Sequence, residues 1–200
     1  MFDTIGKDLA RWLPDRAETN SSSRLRALVR GLASPGFQAV LTYRIFRWAR
    51  THHLPTQPFR YLVERWVEIT TGVSIPAEAE FGPGLRIHHF GSIIVHPHVQ
   101  AGAGCTLYHN VTLGTDGLSE KAPRLGNDVL VGAGAKVLGD VEIGDRCRIG
   151  ANAVVTRSAP PDSVLVGVPA RVVRTAAGHK RLAGEPTPVH GHSHRGAADD

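Results

Sequence analysis

The sequence predicts an α+β chain: a short helical domain over residues 1–73, a parallel β-solenoid over 74–174 and a disordered tail over 175–200. Three observations carry this. Between Ile75 and Val155 an apolar residue returns at every sixth position, at Ile75, Phe81, Ile87, Ile93, Val99, Cys105 and Val111, then at Leu125, Val131, Val137, Ile143, Ile149 and Val155. At 42% hydrophobic composition, thirteen such hits in one register have a chance probability on the order of 10⁻⁵. Gly follows the apolar position at Gly82, Gly126, Gly132, Gly144 and Gly150, and small or apolar residues stand four places after it, as at Ala79, Ala103, Ala135, Val141, Cys147 and Ala153. Neither a helix nor a two-faced strand has a period of six; a triangular coil with three six-residue sides does, with small residues at its corners. Third, helical spacing precedes this stretch, and apolar patterning vanishes after it.

In chain order, Phe2, Ile5, Leu9, Trp12 and Leu13 form one face of an amphipathic helix over Met1 to Arg16. Its polar face is mixed in sign, which favours packing on a partner subunit over lying on a membrane. The polar run Glu18 to Ser23 is a linker or cap, and Leu25, Leu28, Val29 and Leu32 form a second stripe. Ser34-Pro35 reads as a helix start, and Phe37, Val40, Leu41, Ile45 and Trp48 line one face of the helix it opens. Beyond Pro55 and Pro58, a last helix carries Phe59, Leu62, Val63, Trp66 and Val67 at helical spacing and leads through Gly72 into the repeat. Within the repeat, fourteen positions separate Val111 from Leu125 where six are due, so eight residues of Gly114 to Arg124 are expected to loop out.

Lys and Arg exceed Asp and Glu by 23 to 18, a net charge of +5 that suits an anionic cofactor or simply a solvated surface. No stretch has the apolar length of a signal peptide or membrane span, and nothing points to nucleic acid. Cys105 and Cys147 sit at inward repeat positions, so they read as core residues in a reducing compartment, which is taken as the cytoplasm.

VTLGT at Val111 to Thr115, VGAGAKVLGDVEIG at Val131 to Gly144, GVPARVV at Gly167 to Val173 and PGFQAVLTYRIFRWA at Pro35 to Ala49 resemble bacterial serine acetyltransferases, members of the hexapeptide-repeat acyltransferases. The resemblance covers roughly residues 1 to 174. It implies a left-handed parallel β-helix, and chains assembled as homotrimers with active sites between neighbours, sometimes paired into a dimer of trimers through the N-terminal helices. It implies an O-acetyltransferase using acetyl-CoA as co-substrate, no metal, and L-serine as acceptor on the route to cysteine.

O-acetylation needs a base for the acceptor hydroxyl, and imidazole titrates in the right range. By the resemblance His89 in RIHHFGSIIV is that base and His88 the acceptor-binding neighbour, with His109 in LYHNVTLG as the reserve base. His96 and His98 flank Pro97 at a corner and read as surface residues. Gly114, Thr115, Ala133 and Ala151 hold the positions that line the pantetheine arm, where a larger side chain would block the backbone, and Arg171 faces the phosphates. The departures are as specific. The family's orienting Asp is Ser74, its acidic acceptor-binding residue is His88, and its Arg-His pair is Lys121-Ala122. An early acidic residue has only Asp15, Asn20 or Ser21 nearby. These changes weaken the case for an acceptor with both ammonium and carboxylate, so a sugar hydroxyl of an exopolysaccharide precursor is the alternative acceptor. Two further classes remain: a zinc hydratase using His89, His96, His98 or His109, and a non-catalytic binding protein.

Overall fold

The structure, a computed structural model, describes residues 1–12, 29, 31–89 and 91–174. Among the described residues, three helices with both ends defined, α1 (Phe2–Ala10), α2 (Pro35–Thr51) and α3 (Phe59–Thr71), precede fifteen short strands numbered β1 to β15 along the chain, and Val29 and Gly31 to Ala33 are helical as well. The strands wind into a three-faced prism. Face A holds β1 (Val73–Ser74), β4 (Ile93–Val95), β7 (Thr112–Gly114), β10 (Lys136–Leu138) and β13 (Val154–Val155). Face B holds β2 (Glu80–Phe81), β5 (Gln100–Ala101), β8 (Arg124–Leu125) and β11 (Glu142–Ile143). Face C holds β3 (Arg86–His88), β6 (Thr106–Tyr108), β9 (Leu130–Val131), β12 (Arg148–Ile149), β14 (Val164–Gly167) and β15 (Ala170–Arg174). Every pairing is parallel except β14 with β15, which closes the far end.

The register differs from the one the six-residue count predicts. Ile87 pairs with Leu107, Leu107 with Val131, and Val131 with Ile149; Val95 pairs with Leu113 and Leu113 with Val137. The row through Ile87 therefore continues at Val95, Ala101, Leu107 and Leu113, not at Ile93, Val99, Cys105 and Val111. The latter four are fully buried too, but in a companion row two residues earlier. A strand turns residues i and i+2 to the same side, so each face of a coil supplies two inward rows. A two-residue insertion moves the count from one row to the other. That insertion lies between β3 and β4. His88 pairs with Tyr108, and the Asn110 amide donates to the Gly91 carbonyl as the Gly134 amide does to that of His109. Gly91 thus stands one coil below His109, and two extra residues, the first of them His89, precede it. Twelve positions then separate Leu113 from Leu125, so the looped-out segment is six residues long, not eight.

The first coil has no coil beneath it, and its backbone groups need other partners. The helices supply them. Tyr43 Oη donates to the Ala79 carbonyl (2.9 Å) and accepts the Phe81 amide (3.1 Å). Arg44 donates to the carbonyls of Phe81 (2.6 Å) and Gly82 (2.7 Å), and Arg47 to that of Ala79 (2.8 Å). From α1, Asp8 accepts the amides of Gly84 (2.7 Å) and Leu85 (2.9 Å) and closes a buried ion pair with Arg44 Nε at 2.7 Å. Gly72 ends α3 in the left-handed region (φ 65°), where a Cβ would lie 2.8 Å from Gly91 Cα of the next coil.

The helices are shorter or differently faced than the apolar spacing predicts. α1 stops at Ala10, with Trp12 beyond it packed edge-on against Phe37 at 5.3 Å. The linker Glu18 to Ser23 and Leu25 and Leu28 of the second stripe lie outside the described residues, as does the tail over 175–200, whereas Val29 and Leu32 of that stripe are helical and exposed. On α3 only Val63 and Val67 of the expected face are partly covered, whereas Phe59, Leu62, Trp66 and Ile69 are each 63–68% exposed.

Candidate active site on one edge of the solenoid

The corner between faces C and A carries the histidines. In the second and later coils this corner takes two residues, of which the second is left-handed: Asn110 (φ 58°), Gly134 (φ 73°) and Asn152 (φ 56°). Ser92 (φ 54°) holds the same place in the first coil, with two residues, beginning at His89 (φ 61°), added before it. His89 is thus displaced from the coil edge by a bulge, and it is exposed. His is among the non-glycine residues that tolerate a left-handed backbone.

His109 stands one coil above, its ring 5.8 Å from that of His89 and nearly perpendicular to it. His88 ends β3 and stacks on Tyr108 of β6, rings 4.9 Å apart and 9° from parallel. Sequence reasoning misses Tyr108; the parallel between IHH and LYH, each ending a strand on face C, is the signal that points to it. Burial, reinforced by Arg86 and by His89 itself, holds the His88 imidazole below its ordinary pKa, so it is neutral at neutral pH. Among the described residues no carboxylate lies within ion-pair distance of either ring of the His89–His109 pair.

Ala133 and Ala151 occupy the same edge above His109, since the Gly134 amide donates to the His109 carbonyl and the Asn152 amide to that of Ala133. His89, His109, Ala133 and Ala151 therefore rise as one column along the prism. Lys136 buttresses it, its ammonium donating to the Asn110 carbonyl at 2.6 Å.

The remaining expected site residues lie elsewhere. Gly114 and Thr115 are on the edge between faces A and B, where the Gly114 carbonyl accepts the Gly139 amide. Ser74 lines a cavity of about 170 Å³ between α3 and the first coil, with Tyr61, Glu64 and Glu68, and among the described residues it makes no hydrogen bond to His89. Lys121 is bound to Asp140 at 2.7 Å, and Ala122 is buried in the core. Arg171 is exposed on β15 and donates to the Ala170 carbonyl. The four histidines of the zinc alternative split between two edges, His89 and His109 on one, His96 and His98 on the other. Asp15, Asn20 and Ser21 lie outside the described residues.

The family model for bacterial transferase hexapeptide (six repeats) matches residues 122–157. The serine acetyltransferase of Synechococcus elongatus is 40% identical over 144 residues, 71% of this chain and 58% of the relative. That of Helicobacter pylori strain J99 is 39% identical over 147 residues, 71% of this chain and 83% of the relative. The crystal structure of the Brucella abortus serine acetyltransferase in complex with coenzyme A superposes with a TM-score of 0.75 at 29% identity, over 86% of this chain and 67% of that one. The chain spans about three-fifths of the Synechococcus protein and most of the Helicobacter one. On identity, coverage and the shared solenoid, the chain belongs to the serine acetyltransferase family.

Proposed function

We propose that this chain is an acetyl-CoA-dependent O-acetyltransferase whose acceptor is the hydroxyl of L-serine. The observation that carries the reading is the column on the C–A edge: a pair of imidazoles in line with small residues that leave the backbone open to a pantetheine arm. The Brucella relative binds coenzyme A, which supports acetyl-CoA as the donor here. In the reaction, a ring nitrogen of His89 takes the acceptor hydroxyl proton as the oxygen attacks the thioester carbonyl. Collapse of the tetrahedral intermediate breaks the C–S bond, and the imidazolium returns the proton to the leaving thiolate. Ester and free CoA are the products, and His89 is regenerated.

A homotrimer is part of the proposal. In one chain face A separates Gly114 and Thr115 from the column, so a neighbour laying its A–B edge against this C–A edge completes the cofactor groove. The exposed stripe of Phe59, Leu62, Trp66 and Ile69 on α3 supports burial against another chain, and pairing of trimers through α1 is the further step. The buried free thiols of Cys105 and Cys147 support a reducing, cytoplasmic setting.

One observation favours a sugar hydroxyl as a second acceptor: no carboxylate of the described residues faces His88 or His89, so the ammonium of serine lacks a partner within the chain. The test is CoA release from acetyl-CoA with serine, homoserine and nucleotide sugars, for the parent and His89→Ala. Turnover should fall about 10²–10⁴-fold in the variant with acetyl-CoA affinity kept, as for loss of a general base. Unchanged turnover removes His89 from the role and passes it to His109; no CoA release with any acceptor leaves a binding protein.

A further inference from the structure

On the opposite side of face A from the catalytic column, the corner joining β4 to β5 carries His96 and His98, their rings 5.1 Å apart at 77°. The looped-out segment folds back over this corner and brings Glu120 to it. One ligand atom from each of His96, His98 and Glu120 lies within 4.8 Å of the others. Sequence spacing alone does not show this, because Glu120 is 22 positions from His98 and on an insertion.

We propose that His96, His98 and Glu120 form a site for a divalent transition-metal ion such as Zn²⁺, and that the ion pins the inserted loop to the solenoid edge. The donor set, two imidazoles and a carboxylate, is one that zinc takes with a fourth position left to water. Part of the site is already oriented. His98 Nδ1 lies 3.0 Å from the Glu120 backbone carbonyl; donating there, it leaves the Nε2 lone pair free for a metal. His96 Nδ1 accepts the His98 amide at 3.2 Å, a long contact that coordination replaces at little cost because His98 is exposed. Tetrahedral ligands about 2.0–2.2 Å from one ion stand about 3.4 Å apart, so from separations of at most 4.8 Å the side chains need close by no more than about 1.4 Å. Rotation of the exposed Glu120 supplies that movement.

The loop is held near this position before any ion arrives. Asp116 Oδ1 accepts the amides of Leu118 (2.9 Å) and Ser119 (3.0 Å), and Lys121 is tied to Asp140. A metal would therefore meet a preformed turn and lose less chain entropy than one binding an unrestrained segment. The loop begins at Gly114-Thr115 and ends past Lys121, so fixing it fixes the part of the A–B edge that the proposed trimer presents to its neighbour's column.

The experiment uses the full chain with His179, His190, His192 and His194 changed to Asn, which removes the tail's imidazoles as competing ligands. Zn²⁺ binding is measured by competition with a chromophoric chelator, and amide hydrogen exchange is followed over residues 116–121. One ion per chain is expected, weakened at least about tenfold by His98→Ala and by Glu120→Gln. At a zinc concentration ten times the dissociation constant, exchange in the loop should slow by about tenfold. Both substitutions are at exposed positions, so folding is not at stake. Absence of stoichiometric binding, unchanged affinity in both variants, or affinity lost instead with His89→Ala overturns the proposal.

Discussion

Replacing Asp8 by Ala is the sharpest probe of how the helices hold the solenoid. Asp8 is fully buried and receives four hydrogen bonds, from the amides of Gly84 and Leu85 and from two nitrogens of Arg44. Arg44 is 6% exposed, and its bonds to the carbonyls of Phe81 and Gly82 keep the guanidinium from swinging out to water. The substitution thus strands a buried cation and two buried amide donors together. Breaking one side of a buried ion pair costs about 3–5 kcal/mol. For a chain of this size each kcal/mol lowers the melting temperature by about 2–4 °C, so a drop of about 6–20 °C is expected. Thermal unfolding of Asp8→Ala, Arg44→Met and the double variant, at one protein concentration, is the assay. The double variant should be destabilised by less than the sum of the singles, because the second change removes the charge the first one strands. A drop below about 2 °C for Asp8→Ala, or strict additivity, would refute the assignment of Asp8 and Arg44 as one unit.

The site itself yields two more expected outcomes. The native His88 binds protons less readily than an unfolded histidine because burial and Arg86 oppose its charge. Stability should therefore fall as pH drops through the ordinary histidine range, where the unfolded chain takes up the proton first, and level off below the native pKa; His88→Gln should flatten that slope in pH-dependent urea unfolding. On the proposed reading, with His88, Lys121 and Ala122 at the acceptor-binding positions that the resemblance implies, cysteine should inhibit CoA release weakly and serine should saturate it poorly: His88 offers no carboxylate, Ala122 is buried, and Lys121 is engaged by Asp140. At about 1.5–3 kcal/mol for each lost charge-assisted contact, two additive losses weaken either amino acid by two decades or more. Saturation by sub-millimolar serine with micromolar inhibition by cysteine would show that other residues rebuild the amino-acid site.

The solenoid is legible in the sequence because its period is enforced by burial: one register error in a coil would turn a core row to solvent. The same physics hides the bulge that begins at His89. Ile93, Val99, Cys105 and Val111 are as buried as the row they imitate, so hydrophobicity carries no trace of a two-residue slip. The first place where the six-residue count fails, unlike the looped-out segment that the count does reveal, is the place where a histidine leaves the coil. The capping network is not legible, since Asp8, Tyr43, Arg44 and Arg47 serve backbone atoms, and the residues that own those atoms show no compositional mark. Nor is the split of α3, whose Phe59, Leu62 and Trp66 have the same helical spacing as Val63 and Val67, whichever surface is meant to cover them.

The cap at the first coil also bears on how long such a prism can be. Each coil offers its neighbour a full set of unpaired amides and carbonyls, so the repeat has no internal reason to stop, and an open end would template growth by any chain that carries the same coil. Here Tyr43, Arg44, Arg47 and Asp8 terminate one end chemically, and β15, running against the winding direction, terminates face C at the other. Length is thus a property of the stoppers rather than of the repeat. Excising an 18-residue coil such as 136–153, between stoppers left intact, should yield a shorter but still closed particle, whereas removing the helices should yield fibres.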